Sequence, residues 1–138
     1  IGDSISDHSG SIRSITAVPG IGGFATSSND GTVALRGADG SVVGSISHPQ
    51  QSDGSPFVHD CALLQTNSGF SIVSSGEDGS VMVSEGSEPI QNIPHPQCVW
   101  CVIGLPDTGG DFVTGGNDGV LRYFSKDPQL TGTEASRS

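Results

Sequence analysis

Three stretches of the chain repeat one pattern, in which two small residues and a polar residue precede Asp-Gly and an alternating apolar tail. They read SSNDGTVAL (27–35), SGEDGSVMV (75–83) and GGNDGVLRY (115–123). Asp-Gly in this setting predicts a tight hairpin, because the carboxylate accepts hydrogen bonds from turn amides and Gly tolerates a positive φ. The aspartates lie 48 and 40 residues apart. Such a period predicts a repeat architecture.

Further short apolar segments surround each hairpin. One precedes it at a distance (11–19, 57–65 and 98–106), a second leads into it, and a third leaves it. The first two repeats add a fourth, at 41–47 and 88–94. Four short antiparallel strands in roughly 40 to 45 residues are typical of a β-propeller blade. Because Gly accounts for 21 of 138 residues and no window has helical apolar spacing, we predict an all-β fold.

The repeat divides the chain into three four-stranded antiparallel blades with a shorter segment at each end. Residues 1–7 are predicted to form the outer strand of a preceding blade, and 126–138 a linker or tail. The blades are predicted at 8–47, 48–94 and 95–125, the last of which takes its fourth strand from elsewhere. Propellers close with about four to eight blades. We therefore expect an incomplete ring that pairs with further blades, either from a longer parent chain or from other copies in a homo-oligomer.

A histidine precedes the first strand of each unit. With the hairpin aspartates these histidines form the pairs His8 and Asp30, His48 and Asp78, and His95 and Asp118. Each histidine is expected to donate to a second-strand hydroxyl, namely Ser27, Ser74 or Thr114. Because a repeat explains three copies and an active site needs one, we interpret the pairs as a structural network within the blades. No catalytic residue is predicted, and the chain is not expected to be an enzyme.

The charge of the chain restricts its partners. Fifteen acidic residues against five basic ones give a formal charge of −10, which repels a phosphate backbone, so nucleic acid is not an expected partner. The longest apolar run, at 98–105, is shorter than the roughly 20 residues that span a bilayer, so no membrane association is expected. Three cysteines and no N-glycosylation acceptor leave neither usual mark of a secreted domain. We expect a location in the cytoplasm, with the nucleus as an additional location.

Residues 1–127 resemble WD-repeat blades. The WD-repeat pattern runs Gly-His, then Ser-x-x-Asp-Gly, then Trp-Asp at the end of the third strand. The positions of Trp-Asp hold Arg36-Gly37, Ser84-Glu85 and Phe124-Ser125. The resemblance therefore implies blades without the indole that closes the hydrogen-bonded network. We expect the first two blades to be less well braced, because only Phe124 keeps the aromatic bulk.

A narrower resemblance lies in HPQCVWCVIGLPDTGGDFVTGGNDGVLRYFSKDP (95–128), with GSEPIQNIPHP just upstream. This order of a His-Pro, a Val-Trp-Cys strand, a Gly-Asp-x-Val-Thr-Gly-Gly strand and a final strand ending in Phe resembles the last propeller blades of the PLAA (phospholipase-activating protein) family. The resemblance implies a ubiquitin-binding cofactor of a hexameric AAA segregase, whose propeller itself contacts ubiquitin. It thus implies a non-catalytic protein-interaction module in ubiquitin-dependent protein degradation.

The WD-repeat resemblance also implies which residues face a partner, since propellers bind mainly through loops and strand starts on one face of the ring. These are the residue before each hairpin aspartate and the two flanking the first apolar residue of each blade: Ser11, Arg13, Asn29, Phe57, His59, Glu77, Cys98, Trp100 and Asn117. Trp100 is the only Trp, and an aromatic group among polar ones is typical of a binding hot spot. The alternative for Trp100 is strand packing in place of the missing indoles.

Two other interpretations stay open. One is a general WD-repeat scaffold for another peptide or protein, with self-assembly into a closed propeller, since a fold does not imply one function. The other is a thiol or zinc site at Cys98 and Cys101, near His95. Residues three apart on a regular strand point to opposite faces, which argues against chelation by this pair. No cofactor or metal is therefore predicted, and the expected partner is a protein, with ubiquitin as the first candidate.

Overall fold

Three four-stranded antiparallel sheets make up the fold, one for each unit of the repeat. The computed structural model describes residues 4–50, 54 and 56–125, together with the backbone of 135–137. Blade 1 contains β1 (Ile12–Val18), β2 (Gly23–Ser28), β3 (Thr32–Arg36) and β4 (Val42–Ser47). Blade 2 contains β5 (Val58–Thr66), β6 (Gly69–Gly76), β7 (Ser80–Glu85) and β8 (Glu88–Pro94). Blade 3 contains β9 (Val99–Gly104), β10 (Phe112–Gly116), β11 (Leu121–Phe124) and β12 (Ala135–Arg137).

Within each blade the strands follow one another across the sheet in chain order. This order requires only short hairpins, which the Gly-rich turns supply. The described residues contain a single helical element, a 3-10 turn at Pro19–Ile21 that links β1 to β2. No helix in this part of the chain has the length and apolar character needed to cross a membrane. The fold is all-β, as the repeat predicts.

The Asp-Gly hairpins between second and third strands have the chemistry that the sequence predicts. Gly31, Gly79 and Gly119 adopt positive φ angles of 88°, 89° and 76°. In each turn, Oδ1 of the aspartate accepts a hydrogen bond from the amide two residues further on, at 3.0, 3.0 and 3.2 Å. A side chain at the Gly position would be strained at such angles, which explains why the pair recurs.

Apolar side chains are buried between neighbouring blades, because alternate residues of each strand face opposite sides of the sheet. The cluster between blades 1 and 2 contains Val18, Ala25, Val33, Leu35, Ile46, Val58, Cys61 and Ile72. The cluster between blades 2 and 3 contains Ala62, Leu64, Val73, Val81, Val83, Val99, Val102 and Phe112. Each blade is therefore stabilised by its neighbours, as expected of a repeat protein.

The outer faces of blades 1 and 3 are exposed, although the equivalent inner faces are buried. Ile15 of blade 1 is 67% exposed, whereas its equivalents Cys61 and Val102 are 2% and 7% exposed. Leu121 of blade 3 is 50% exposed, whereas its equivalent Val81 is 0% exposed. Such apolar positions, buried in one repeat and exposed in the next, mark two faces that lack a neighbouring blade among the described residues. That further blades cover these faces stays a prediction.

The two ends of the chain bear differently on the expectation. Residues 1–7 are expected to be the outer strand of a preceding blade; residues 4–7, the described part, lie in none of the three sheets, and this expectation stays a prediction because the described residues include no preceding blade. Asp7 pairs with Arg36 of blade 1 at 2.7 Å. The fourth strand of blade 3 is expected from elsewhere, but β12 of this chain pairs with β11. The reason is that the edge of β11 presents unpaired backbone groups, which any extended segment satisfies.

The expected linker at 126–138 lies outside the described residues, apart from the backbone of β12. The boundaries assigned to the blades from the sequence remain predictions.

Candidate functional site

One end of the three blades is built by a repeated backbone hydrogen bond. The residue before each hairpin aspartate donates its amide to the carbonyl of the residue before the first strand: Asn29 to Ser11 at 2.8 Å, Glu77 to Phe57 at 2.9 Å, and Asn117 to Cys98 at 2.8 Å. Arg13, His59 and Trp100 follow two residues after these carbonyls. The structure thus brings all nine residues of the expected face to the same end of the blades. Their role in binding is not tested by this placement.

Three of these residues, Phe57, His59 and Trp100, form a cluster across blades 2 and 3 that we call the aromatic surface. The ring centroids of His59 and Trp100 are 4.7 Å apart with an interplanar angle of 35°. Phe57 meets His59 edge-on at 6.3 Å. Trp100 is 47% exposed and Phe57 39%, whereas His59 between them is 7% exposed. Two exposed rings supported by a buried ring offer rigid apolar contact area.

Hydrogen bonds fix the orientation of Trp100. Its Nε1 donates to Oδ1 of Asn117 at 3.1 Å, and Nδ2 of Asn117 donates to Oε1 of Gln97 at 3.0 Å. The indole of Trp100 does not take the position of the missing third-strand indole of blade 3, because Phe124 packs against His95 there, with ring centroids 5.6 Å apart. Trp100 is therefore a surface residue with a defined orientation.

The electrostatic environment keeps His59 uncharged at neutral pH. Burial lowers the pKa of His59, and the positive charge of Arg13 lowers it further, while the negative charge of Glu77 opposes both effects. The Glu77 Oε1 atom lies 3.9 Å from His59 Nε2, beyond hydrogen-bond distance. A neutral imidazole behaves as a flat, largely apolar ring that still has one donor and one acceptor.

The two thiols of the zinc hypothesis have different surroundings. Burial and the negative charges of Glu77 and Asp78 raise the pKa of the Cys98 thiol, which disfavours the thiolate that a metal requires. Cys101 is exposed. In the part of the chain that the structure describes, no three His, Cys, Asp or Glu side chains are grouped as a metal site.

The histidine of each blade contacts a second-strand hydroxyl. The Nε2 atom lies within 3.0 Å of the hydroxyl oxygen in all three pairs: His8 and Thr26, His48 and Ser74, and His95 and Thr114. The expected partner in blade 1, Ser27, is wrong by one residue. Because neighbouring side chains point to opposite faces of a strand, Ser27 points to the other face of the sheet, where its Oγ lies 2.6 Å from that of Ser14 on the neighbouring strand β1.

The hairpin aspartates have different partners in different blades. In blade 1, His8 Nδ1 lies 2.8 Å from the Asp30 carboxylate. Burial disfavours the charge of Asp30, but hydrogen bonds from Thr32 and His8 outweigh burial and lower its pKa to about 2. In blade 3, Arg122 pairs with Asp118 at 3.0 Å. The hairpin aspartate is therefore held by a histidine in blade 1 and by an arginine in blade 3.

Arg36 supplies the donor that the WD-repeat pattern takes from Trp. Its Nε donates to Oγ1 of Thr26 at 3.0 Å, and its Nη2 donates to Oδ1 of Asp7 at 2.7 Å. The expectation that blade 1 is poorly braced is therefore wrong, because a guanidinium N–H replaces the indole N–H. The only signal in the sequence was an arginine at this position. In blade 2 the equivalent residue, Ser84, is buried, and its hydroxyl has no hydrogen-bond partner in the described part of the chain.

The fold and the repeated network define the class of protein: the chain consists of WD-repeat-type β-propeller blades. The crystal structure of the WD40 propeller domain of Doa1 superimposes with a TM-score of 0.74 at 29% identity, covering 91% of this chain and 40% of that chain. The structure of U3-55K superimposes with a TM-score of 0.74 at 13% identity, covering 88% of this chain and 38% of that chain, which supports the fold alone. No family model matches the chain.

Within this class, the comparisons confirm the resemblance to propellers of the PLAA family. The ubiquitin homeostasis protein lub1 of Schizosaccharomyces pombe is 36% identical over 125 residues, which are 90% of this chain and 16% of that protein. Because the chain spans 16% of the curated relative, the functions of the rest of such a protein do not transfer to it.

Proposed function

We propose that this chain is a non-catalytic module that binds ubiquitin through the aromatic surface. The observation that carries the proposal is the pair of exposed rings, Phe57 and Trp100, on the buried ring of His59, in a chain similar to a ubiquitin homeostasis protein. We further propose that it acts in ubiquitin-dependent protein degradation as part of a segregase cofactor, in the cytoplasm or also the nucleus.

The geometry of the aromatic surface favours contact with a folded protein. Binding energy concentrates in a few aromatic residues surrounded by polar ones, and Glu77 and Asn117 provide such a polar surround. The hydrogen bond from Trp100 to Asn117 holds the indole in place before binding. Less side-chain entropy is then lost when a partner docks.

The charge of the chain favours a partner whose apolar patch is bordered by basic groups. The formal charge is −10, and Glu77 is an exposed carboxylate beside the aromatic surface. Ubiquitin presents a hydrophobic patch with basic residues around it, so long-range attraction favours association. We expect a higher salt concentration to lower the association rate constant more than it changes the dissociation rate constant.

The test is an NMR titration of isotope-labelled ubiquitin with the chain. We expect shifts confined to the hydrophobic patch of ubiquitin, and we expect Trp100→Ala and Phe57→Ala to weaken binding by about tenfold or more, since each truncates a hot-spot ring. Ile90→Ala is the matched control, because Ile90 is 46% exposed and lies on β8, away from the aromatic surface.

Two results would contradict the proposal. One is the absence of shifts with a chain that gives a dispersed β-type spectrum, which would leave a WD-repeat scaffold for another peptide or protein. The other is a Trp100→Ala variant that is folded and binds ubiquitin as tightly as the unchanged chain.

A further inference from the structure

In each blade, the second residue of the first strand and the residue before the hairpin aspartate form a side-chain pair. The pairs differ in whether the two side chains are hydrogen-bonded. In blade 3 they are, because Trp100 donates to Asn117 at 3.1 Å. In blade 2, His59 and Glu77 approach to 3.9 Å without a hydrogen bond. In blade 1 the pair is Arg13 and Asn29. The buried Oδ1 of Asn29 has no hydrogen-bond partner within the residues that the structure describes.

His59 is a buried polar side chain with unused hydrogen-bonding groups. It is 7% exposed, and neither Nδ1 nor Nε2 has a hydrogen-bond partner among the described residues. Most buried polar groups in proteins are paired, and an unpaired one costs about 1–3 kcal/mol. An unpaired imidazole at the centre of an exposed cluster is a group that a ligand with a hydrogen-bonding oxygen can satisfy.

Arg13 lies at the same end of the blades as this imidazole and has no counter-ion among the described residues. The other two arginines with described side chains are buried and paired, Arg36 with Asp7 and Arg122 with Asp118. Arg13 is exposed, and its charge acts on His59. The chain has a formal charge of −10, yet Arg13 is a positive group without a described counter-ion at the same end of the blades as the imidazole of His59.

We infer that Arg13 and His59 hold a carboxylate of the bound partner, while aliphatic atoms next to that carboxylate pack on Trp100 and Phe57. A guanidinium offers two parallel N–H groups to a carboxylate, and a neutral imidazole offers one more. The inference rests on the proposed function and adds the polar chemistry of the same surface. The carboxylate is either the C-terminus of the partner or an Asp or Glu side chain.

The position of Glu77 sets the direction from which the carboxylate arrives. Glu77 lies on the Nε2 side of His59, and it repels a second carboxylate there. The anion therefore enters on the side of Arg13. Because both imidazole nitrogens are covered in the free chain, the ring of Phe57 must turn aside on binding, while the hydrogen bond to Asn117 keeps Trp100 in place. Trp100, the only Trp in the chain, reports this movement by its fluorescence.

The first experiment uses a small probe and does not depend on ubiquitin. N-acetyl-leucine has a carboxylate next to an aliphatic side chain, and N-acetyl-leucinamide is the matched control without charge. We expect only the acid to cause saturable shifts of the His59 ring signals, assigned by their loss in His59→Phe, together with a change in Trp100 fluorescence. Arg13→Gln should abolish this response, Glu77→Gln should strengthen it, and Glu88→Gln should leave it unchanged. An equal response to both probes, or none to the acid, overturns the inference.

The second experiment separates this inference from the proposed function. We expect Arg13→Gln to bind ubiquitin about tenfold more weakly than the unchanged chain, as for loss of a charge-assisted hydrogen bond. Ubiquitin with an amidated C-terminus identifies the source of the carboxylate: weakened binding indicates the C-terminus, and unchanged binding indicates an acidic side chain. Equal affinity of Arg13→Gln overturns the inference and leaves ubiquitin binding intact. A response to N-acetyl-leucine without ubiquitin binding overturns the proposed function and leaves the carboxylate site.

Discussion

At the scale of single residues, the blade network keeps its geometry while its chemistry changes. Arg36 donates an N–H to Thr26 from the position where the WD-repeat pattern has an indole. The guanidinium also carries a charge that an indole lacks, so it needs the carboxylate of Asp7. A buried cation without its partner is strongly destabilising. The brace of blade 1 therefore depends on a residue that lies before the blade in the chain.

The buried histidines make the stability of the fold dependent on pH. Burial lowers the pKa of His48 to about 4 from its ordinary value of 6.5, against an opposing effect of Asp78. Between these values the unfolded chain binds more protons than the folded chain. Stability is therefore full above pH 6.5 and decreases by about 3 kcal/mol as the pH falls towards 4. The lowered pKa of His59 acts in the same direction.

The measurement is the midpoint of urea unfolding across this pH window. His48→Gln retains a side chain that pairs with Ser74 but does not titrate, so we expect a smaller decrease of the midpoint with acid than in the unchanged chain. A further loss is expected as the pH falls below the ordinary Asp value of 3.8 towards 2, where Asp30 is protonated in the folded state. A midpoint that is constant between neutral pH and pH 4 would show that burial of His48 does not govern this behaviour.

At the scale of the elements, one strand position has opposite roles in different blades. The position lies on the first strand of each blade, three residues after the first apolar residue. It is buried in blades 2 and 3, as Cys61 and Val102, and exposed in blade 1, as Ile15. The sequence assigns the three positions to the same face of equivalent strands. Only a neighbouring blade determines whether that face is in the core.

This difference predicts unequal effects of similar substitutions. We expect Val102→Ala to destabilise the chain by about 1–3 kcal/mol, because it removes two buried methyl groups from the cluster between blades 2 and 3. Ile15→Ala removes more atoms but should change stability by less than about 0.5 kcal/mol, because the side chain is already in water. Urea unfolding of both variants measures the comparison. A loss in Ile15→Ala as large as that in Val102→Ala would show that another surface covers blade 1.

At the scale of the whole molecule, three blades leave two apolar faces uncovered. Ile15 and Leu121 mark the faces of blades 1 and 3, with exposures of 67% and 50%. We expect the isolated chain to associate as its concentration rises, because joining two such faces removes apolar surface from water. Sedimentation equilibrium measures this association. The double variant Ile15→Ser with Leu121→Ser should associate less, and a monomer at all concentrations in the unchanged chain would contradict the expectation.

Local patterns in the sequence were sufficient to predict the blades. Asp-Gly requires a turn with a positive φ at Gly, and alternating apolar residues on both sides of that turn require paired strands, so Asp30, Asp78 and Asp118 locate three hairpins without tertiary information. The same alignment selected the nine residues that the structure places at one end of the blades. These are properties of backbone geometry and of short-range hydrogen bonds, which depend on nearby residues.

The tertiary structure decided everything that depends on contacts between distant residues. The replacement of an indole by Arg36 requires Asp7 and Thr26 to meet. The unpaired state of His59 depends on Trp100, Glu77 and Arg13, which come from three blades. The sequence by itself determined the repeat, its turns and the residues at the candidate face. Only the packing of blade on blade decided which rings are exposed, which histidines stay neutral and which cation has no counter-ion among the described residues, because burial and pairing arise between elements and not within them.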